Sequence, residues 1–101
     1  MANDIQNKLL WNRLGDIKQS DWIRAAVRLQ IPVLESNSGT SHYTTLRDPK
    51  VPDANDVRGL ITILTPNTYK QANHTIFKSI LAYCKKNNKT EDDIWRALDL
   101  M

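Results

Sequence analysis

The sequence predicts an α+β fold in which a helix, three antiparallel strands and a second helix follow one another, with a short helix at the C-terminal end. Three observations predict this order. Apolar residues recur at helical spacing after Ser20 and again after Asn73, and three short segments rich in strand-forming residues lie between them. One sheet covered on one face by helices would bury all of these apolar sides.

The composition is that of one small globular domain. The chain has 101 residues, of which 41% are hydrophobic and 25% are charged, enough for one core but not for two. No apolar run is long enough to span a membrane, and the first residues lack the pattern of a secretory signal. Cys84 is the only cysteine, which excludes a disulfide framework and a cysteine-based zinc site. We therefore expect a cytoplasmic protein with no cofactor or metal.

The chain is predicted to divide into an extension, residues 1–19, and a domain, residues 20–101. In the extension, a short helix from Asp4 to Leu14 would place Ile5, Leu9, Leu10 and Leu14 on one side, and Gly15 would end it. The first helix of the domain follows Ser20, which can cap its free amides. Its apolar face would contain Ile23, Ala26, Val27 and Ile31, and Pro32 would stop it.

Three strands are predicted in the middle of the chain. The first is the short segment Val33–Glu35, followed by a turn over residues 36–39. The second runs from Ser41 to Arg47, and a loop with two prolines leads to the third, Val57 to Leu64. The connections are short enough for an antiparallel meander.

The second helix is predicted from Asn73, as its cap, to Lys86, with a buried stripe of Ile76, Phe77, Ile80, Leu81 and Cys84. Thr90 and Asp93 have the spacing of a capping box for a last short helix. The net charge is +3, but residues 70–89 hold five lysines and no acid. Such a basic block suits a phosphate backbone, although a solvated helix face would also explain it.

His42 is the sharpest candidate for chemistry. The predicted order of elements is also that of the double-stranded RNA-binding domain, and His42 would lie at the start of the second strand. RNA cleavage needs a base for the 2′-hydroxyl proton, an acid for the leaving oxygen and positive charge near the phosphate. Histidine can exchange protons near neutral pH. A strand histidine without a role is the alternative.

A family resemblance bears on this choice. The segment Ser38-Gly39-Thr40-Ser41-His42, continuing to Pro49, resembles the element of HicA toxins in which a glycine-rich turn leads into the strand of the catalytic histidine. Residues 60–64 and the segment His74–Leu81 resemble the third strand and following helix of that family. The resemblance covers roughly residues 20–98. It implies a compact fold like the double-stranded RNA-binding domain.

The resemblance implies a toxin of a toxin–antitoxin pair that cleaves messenger RNA without a metal, with His42 as the catalytic residue. It also implies a partner, a HicB-like antitoxin protein. The candidates for RNA contact are Gly39, Ser41, Arg47, Lys78 and Lys85. His74, the other histidine, could be a second proton-transfer group or a surface or capping residue.

Two other classes of function stay open on the sequence. A non-catalytic RNA-binding module would use the same lysines and show strong salt dependence without cleavage. A protein-interaction domain would show no affinity for RNA at low salt. Trp11, Trp22 and Trp95 are interpreted as core or staple residues, because each lies among apolar helix positions; Trp11 could instead stack on RNA.

Overall fold

The computed structural model describes residues 7–38, 41–51, 53, 56–66 and 69–101, with the backbone alone for residues 35–38 and 41–43. The helices are α1 (Lys8–Trp11), α2 (Gln19–Arg28), α3 (Lys70–Lys86) and α4 (Glu91–Ala97), and the strands are β1 (Val33–Ser38), β2 (Ser41–Arg47) and β3 (Leu60–Leu64). Two single turns of 3-10 helix lie at Leu14–Asp16 and Val57–Gly59. The predicted α+β class is confirmed.

The three strands form one antiparallel sheet in the order β1-β2-β3. Its two faces differ in burial. Leu46 and Leu64 are completely buried, whereas Leu34 and Ile63, which both occupy the row of Thr45, are 41% and 46% exposed. Since opposite residues in a ladder point to the same face, the helices cover one face of the sheet and the other face is open.

Two strand boundaries differ from the prediction. Strand β1 continues to Ser38, so the predicted turn over residues 36–39 lies at least partly within the strand. Strand β3 begins at Leu60 instead of Val57, because Asp56 caps a 3-10 turn there by accepting a hydrogen bond from the Arg58 amide at 2.9 Å. The bounds of β2 agree with the prediction.

Helix α2 is capped differently from the prediction. It begins at Gln19, and the Asp21 carboxylate accepts a hydrogen bond from the Lys18 amide at 2.9 Å, so Ser20 lies inside the first turn. Val27, expected in the core, is 64% exposed, because the buried side is formed by Trp22, Ala25, Ala26 and Leu29. The left-handed backbone of Gln30 ends the helix ahead of Pro32.

Helix α3 begins at Lys70, three residues before the predicted cap. Asn73 is completely buried within the helix. Its Nδ2 donates to the carbonyl oxygens of Leu14 at 2.6 Å and Ile17 at 2.9 Å, and its Oδ1 accepts from Nε1 of Trp22 at 2.9 Å. The amide of Asn73 is therefore a cross-link between helices and not a cap.

The first described residues pack into the same core as the rest of the chain. Leu10, Leu14 and Ile17 belong to the buried cluster, although Leu9, predicted on the same side, is 81% exposed. The Asn7 amide donates to Glu91 at 2.9 Å, and Glu91 also accepts from Nε1 of Trp95. The structure therefore joins the described part of the predicted extension, from residue 7, to α4 at the other end of the chain.

Helix α4 follows the predicted capping pattern. The Thr90 amide and hydroxyl both donate to the Asp93 carboxylate, at 2.8 and 3.2 Å. Ile94, Trp95 and Leu98 are buried, and Phe77 stacks on Trp95 with ring centroids 4.3 Å apart. The helix thereby closes the core on the side of α3.

Candidate functional site

His42 lies in the second position of β2, and its backbone is opposite Asn37 of β1. Two residues further on, Thr44 is opposite Leu64, the last residue of β3. His42 is therefore at the end of the sheet where the β1–β2 hairpin turns and where β3 ends.

Two helices begin at this same end. The Gln19 side chain, in the first turn of α2, donates from Nε2 to the carbonyl oxygen of Leu64 at 3.0 Å. Helix α3 begins at Lys70, only six residues after Leu64. A ligand that contacts the hairpin end of the sheet would consequently approach the first turns of α2 and α3.

The other predicted contact residues divide into two groups. The Ser41 backbone opposes Ser38 beside His42, and Gly39 lies outside the described residues. Arg47 lies five residues from His42, about 17 Å along an extended strand. It is 7% exposed, and its Nη2 donates to the carbonyl oxygens of Asp53, at 2.9 Å, and Asp56. Arg47 thus holds the loop between β2 and β3 and is not brought to the His42 end.

Lys78 and Lys85 both lie on α3 and are exposed. Seven residues separate them, which is almost two helical turns, so they occupy one side of the helix about 10 Å apart. His74 lies one turn before Lys78 on that side. The structure therefore brings two of the predicted lysines and the second histidine into one row.

Trp11, 63 residues away in the sequence, holds the His74 side chain in place. The sequence alone gave little indication of this contact. The imidazole stacks on the Trp11 ring, with centroids 3.9 Å apart and an interplanar angle of 15°. His74 Nε2 is 3.1 Å from the Trp11 carbonyl oxygen; since a carbonyl only accepts, Nε2 donates. His74 is therefore neither a cap nor a loose surface residue, and Nδ1 is the nitrogen left for other chemistry.

The arginines of α2 are engaged elsewhere. Arg28 forms an ion pair with Asp99 at 2.6 Å and donates to the Ala97 carbonyl, while Arg24 pairs with Asp21 at 3.0 Å and with Asp99 at 3.5 Å. The carboxylates of Asp21 and Asp99 thus offset the positive charges of both arginines on α2. Lys70, in the first turn of α3, is the lysine of this helix that lies at the His42 end, whereas Lys86 lines a cavity with Asp48 and Gly59 at the opposite end of the sheet.

Shifted pKa values lie away from this end. Hydrogen bonds from Arg58 lower the pKa of Asp56, and the Thr90 amide lowers the pKa of Asp93. Burial raises the pKa of the Cys84 thiol to about 11, so this cysteine is not an activated nucleophile. Within the described ranges, no group of three or more His, Cys, Asp or Glu side chains could hold a metal ion.

None of the helices in the described part of the chain has the length and apolar character needed to cross a membrane. Comparison of the chain with protein-family models, curated proteins and solved structures finds no match.

Proposed function

We propose that the protein is a HicA-like ribonuclease toxin in which His42 exchanges protons with the RNA. The observation that carries the proposal is the placement of the His42 backbone at the sheet end where α3 begins. That helix, residues 70–86, contains four lysines and no acid in its sequence. The resemblance of residues 38–49 to the HicA element supports the assignment of the histidine.

The proposed reaction is a transfer of the phosphate within the RNA. The 2′-oxygen attacks the adjacent phosphorus as its proton passes to a base, and the bond to the 5′-oxygen breaks as an acid protonates that oxygen. The products are a 2′,3′-cyclic phosphate and a 5′-hydroxyl. His42 acts as base or acid, and the α3 lysines stabilise the extra negative charge of the crowded phosphate.

The expected partners are messenger RNA and a HicB-like antitoxin that covers His42, and the expected compartment is the cytoplasm. These parts of the proposal depend on the resemblance. Inspection of the neighbouring open reading frame for a small antitoxin gene tests the protein partner directly.

The decisive experiment compares the wild type with His42→Ala after induction in a bacterial host. We expect growth arrest and loss of messenger RNA for the wild type alone, with circular dichroism showing that both proteins are folded. Thr45→Ala is the matched control, since it changes a half-buried residue three positions along the same strand, and it should remain toxic. Continued RNA cleavage by folded His42→Ala would show that His42 is not catalytic.

The same experiment separates the second candidate function, a non-catalytic RNA-binding module. The basic side of α3 favours this alternative, because backbone contacts need lysines but no proton transfer. Wild-type protein that harms neither growth nor RNA, yet binds RNA at low salt, would establish it. Absence of RNA binding at low salt would instead favour a protein-interaction domain.

A further inference from the structure

The Trp11 ring lies flat against α3. It stacks on His74, meets the edge of Phe77 with centroids 5.7 Å apart, and has the Lys78 ammonium 5.8 Å from its own centroid. All three partners belong to α3. Trp11 is nevertheless only half-buried, whereas Trp22 and Trp95 are completely buried. Part of this side chain is therefore accessible to solvent, although the residue also packs against the buried core.

The ring is also held in a defined orientation. His74 is parallel to it and donates a hydrogen bond from Nε2 to the backbone carbonyl of the same Trp11 residue. On the neighbouring turns, Leu10 and Leu14 are buried in the core. A ligand that stacks on Trp11 would consequently meet a preorganised surface and would lose little affinity to ordering of the side chain.

Lysines occur on both helices that meet at this ring. Lys78 contacts it directly, and Lys8 lies one turn before it on α1. Lys70 lies one turn before His74, and both of these additional lysines are exposed. No acid occurs between residues 70 and 89. A partly exposed aromatic ring beside the lysines of a segment without acids combines the two features that bind single strands, stacking of bases and neutralisation of phosphates.

We propose that Trp11 is a stacking site for one unpaired base of single-stranded RNA, with Lys78, Lys8 and Lys70 holding the flanking phosphates. The proposal rests on the proposed function for the choice of RNA as ligand, and it adds a binding site at the α1–α3 junction. The base lies on the outer face of Trp11, opposite His74. The charge of this surface and its single flat aromatic ring favour RNA over a protein segment, which would need a wider apolar patch.

Binding is measured with the His42→Ala protein, so that cleavage cannot remove the ligand. The probe is an unstructured, end-labelled RNA of about 12 nucleotides. Because Trp22 and Trp95 are buried, quenching of tryptophan fluorescence by the RNA reports Trp11. We expect Trp11→Leu to lower the affinity roughly tenfold and to remove the quenching. Trp11→Phe should retain most of the affinity, also without quenching.

The lysines are tested by salt dependence. Loss of one phosphate contact lowers the slope of log K against log salt by about 0.7 for a single strand, and we expect this change for Lys78→Gln. Lys50→Gln is the matched control, since Lys50 is an equally charged, exposed residue in the connection after β2. Its slope should equal that of the parent protein. An equal change in both variants would overturn the assignment of Lys78.

The outcomes keep this site separate from the proposed activity. Unchanged affinity in folded Trp11→Leu, or no RNA binding at all, would overturn the stacking site. Equal affinity for DNA of the same sequence would overturn the assignment to RNA. If the Trp11 and Lys78 variants behave as expected while wild-type protein cleaves no RNA, the stacking site stands and only the ribonuclease proposal fails.

Discussion

At the scale of single residues, Asn73 carries an unusual share of the contacts between elements. Its side chain joins the 3-10 turn at Leu14, the entry to α2 at Ile17, and Trp22 through three buried hydrogen bonds. We predict that Asn73→Leu lowers the free energy of unfolding by about 2 kcal/mol or more, because the Ile17 carbonyl and the Trp22 Nε1 lose their partner at about 1–3 kcal/mol each. The Leu14 carbonyl keeps a hydrogen bond from the Ile17 amide. Urea unfolding followed by circular dichroism measures this change.

Asn12→Ala provides the control for Asn73. Asn12 is exposed at the end of α1, and its backbone amide is what closes that helix. The variant should stay within about 0.5 kcal/mol of the wild type. A loss as small for Asn73→Leu would mean that the buried amide contributes nothing to the joining of α2 and α3.

At the scale of elements, the connection between β2 and β3 is packed around Gly59. A Cβ atom at this position would lie 2.8 Å from Cβ of Val51 and 3.0 Å from Nη2 of Arg47. We predict that Gly59→Ala lowers the free energy of unfolding by about 1 to 3 kcal/mol through overpacking. Gly15→Ala is the matched control, because its Cβ would meet Lys70 only at 3.7 Å, and it should be neutral or slightly stabilising. Equal denaturation midpoints for both variants would contradict the prediction.

The elements also show how far the sequence alone predicts this molecule. The apolar stripe of α3 and the strand formers of β2 were sufficient to place both elements, since each depends on local periodicity. The start of α3 was wrong, because Asn73 has the side chain of a cap but finds three partners 51 to 59 residues away. Contacts between residues so far apart in the chain cannot be predicted from a local sequence pattern.

The positions of the candidate site residues in the fold were predictable only in part. The strand formers after Ser41 place His42 in β2, although β1 extends into the predicted turn before it. Arg47 is a candidate for RNA contact because of its charge. In the structure its guanidinium is buried and donates to the carbonyl oxygens of Asp53 and Asp56, which is a structural role. The stack of His74 on Trp11 joins residues 63 positions apart, so the sequence offered only the separate observations of a tryptophan in α1 and a histidine in a basic helix.

At the scale of the whole molecule, the buried thiol of Cys84 predicts how the free energy of unfolding depends on pH at the alkaline end. In the folded protein, the pKa of Cys84 is about 11 because of burial, against an ordinary value of 9.0. Below pH 9 the thiol is neutral in both states and the full stability is present. As pH rises from 9 to 11, the unfolded thiol ionises first, so stability should fall by about 2 kcal/mol from this group.

The measurement is a difference between two proteins, which removes the contributions that both share. Cys84→Ala should be less stable than the wild type at pH 8, because the smaller side chain leaves a cavity in the core. This deficit should shrink as pH rises from 9 to 11, since only the wild type has the ionising thiol. Urea unfolding at each pH gives both free energies. Parallel curves over this range would mean that the Cys84 thiol ionises equally in the folded and unfolded states, in conflict with its complete burial on α3.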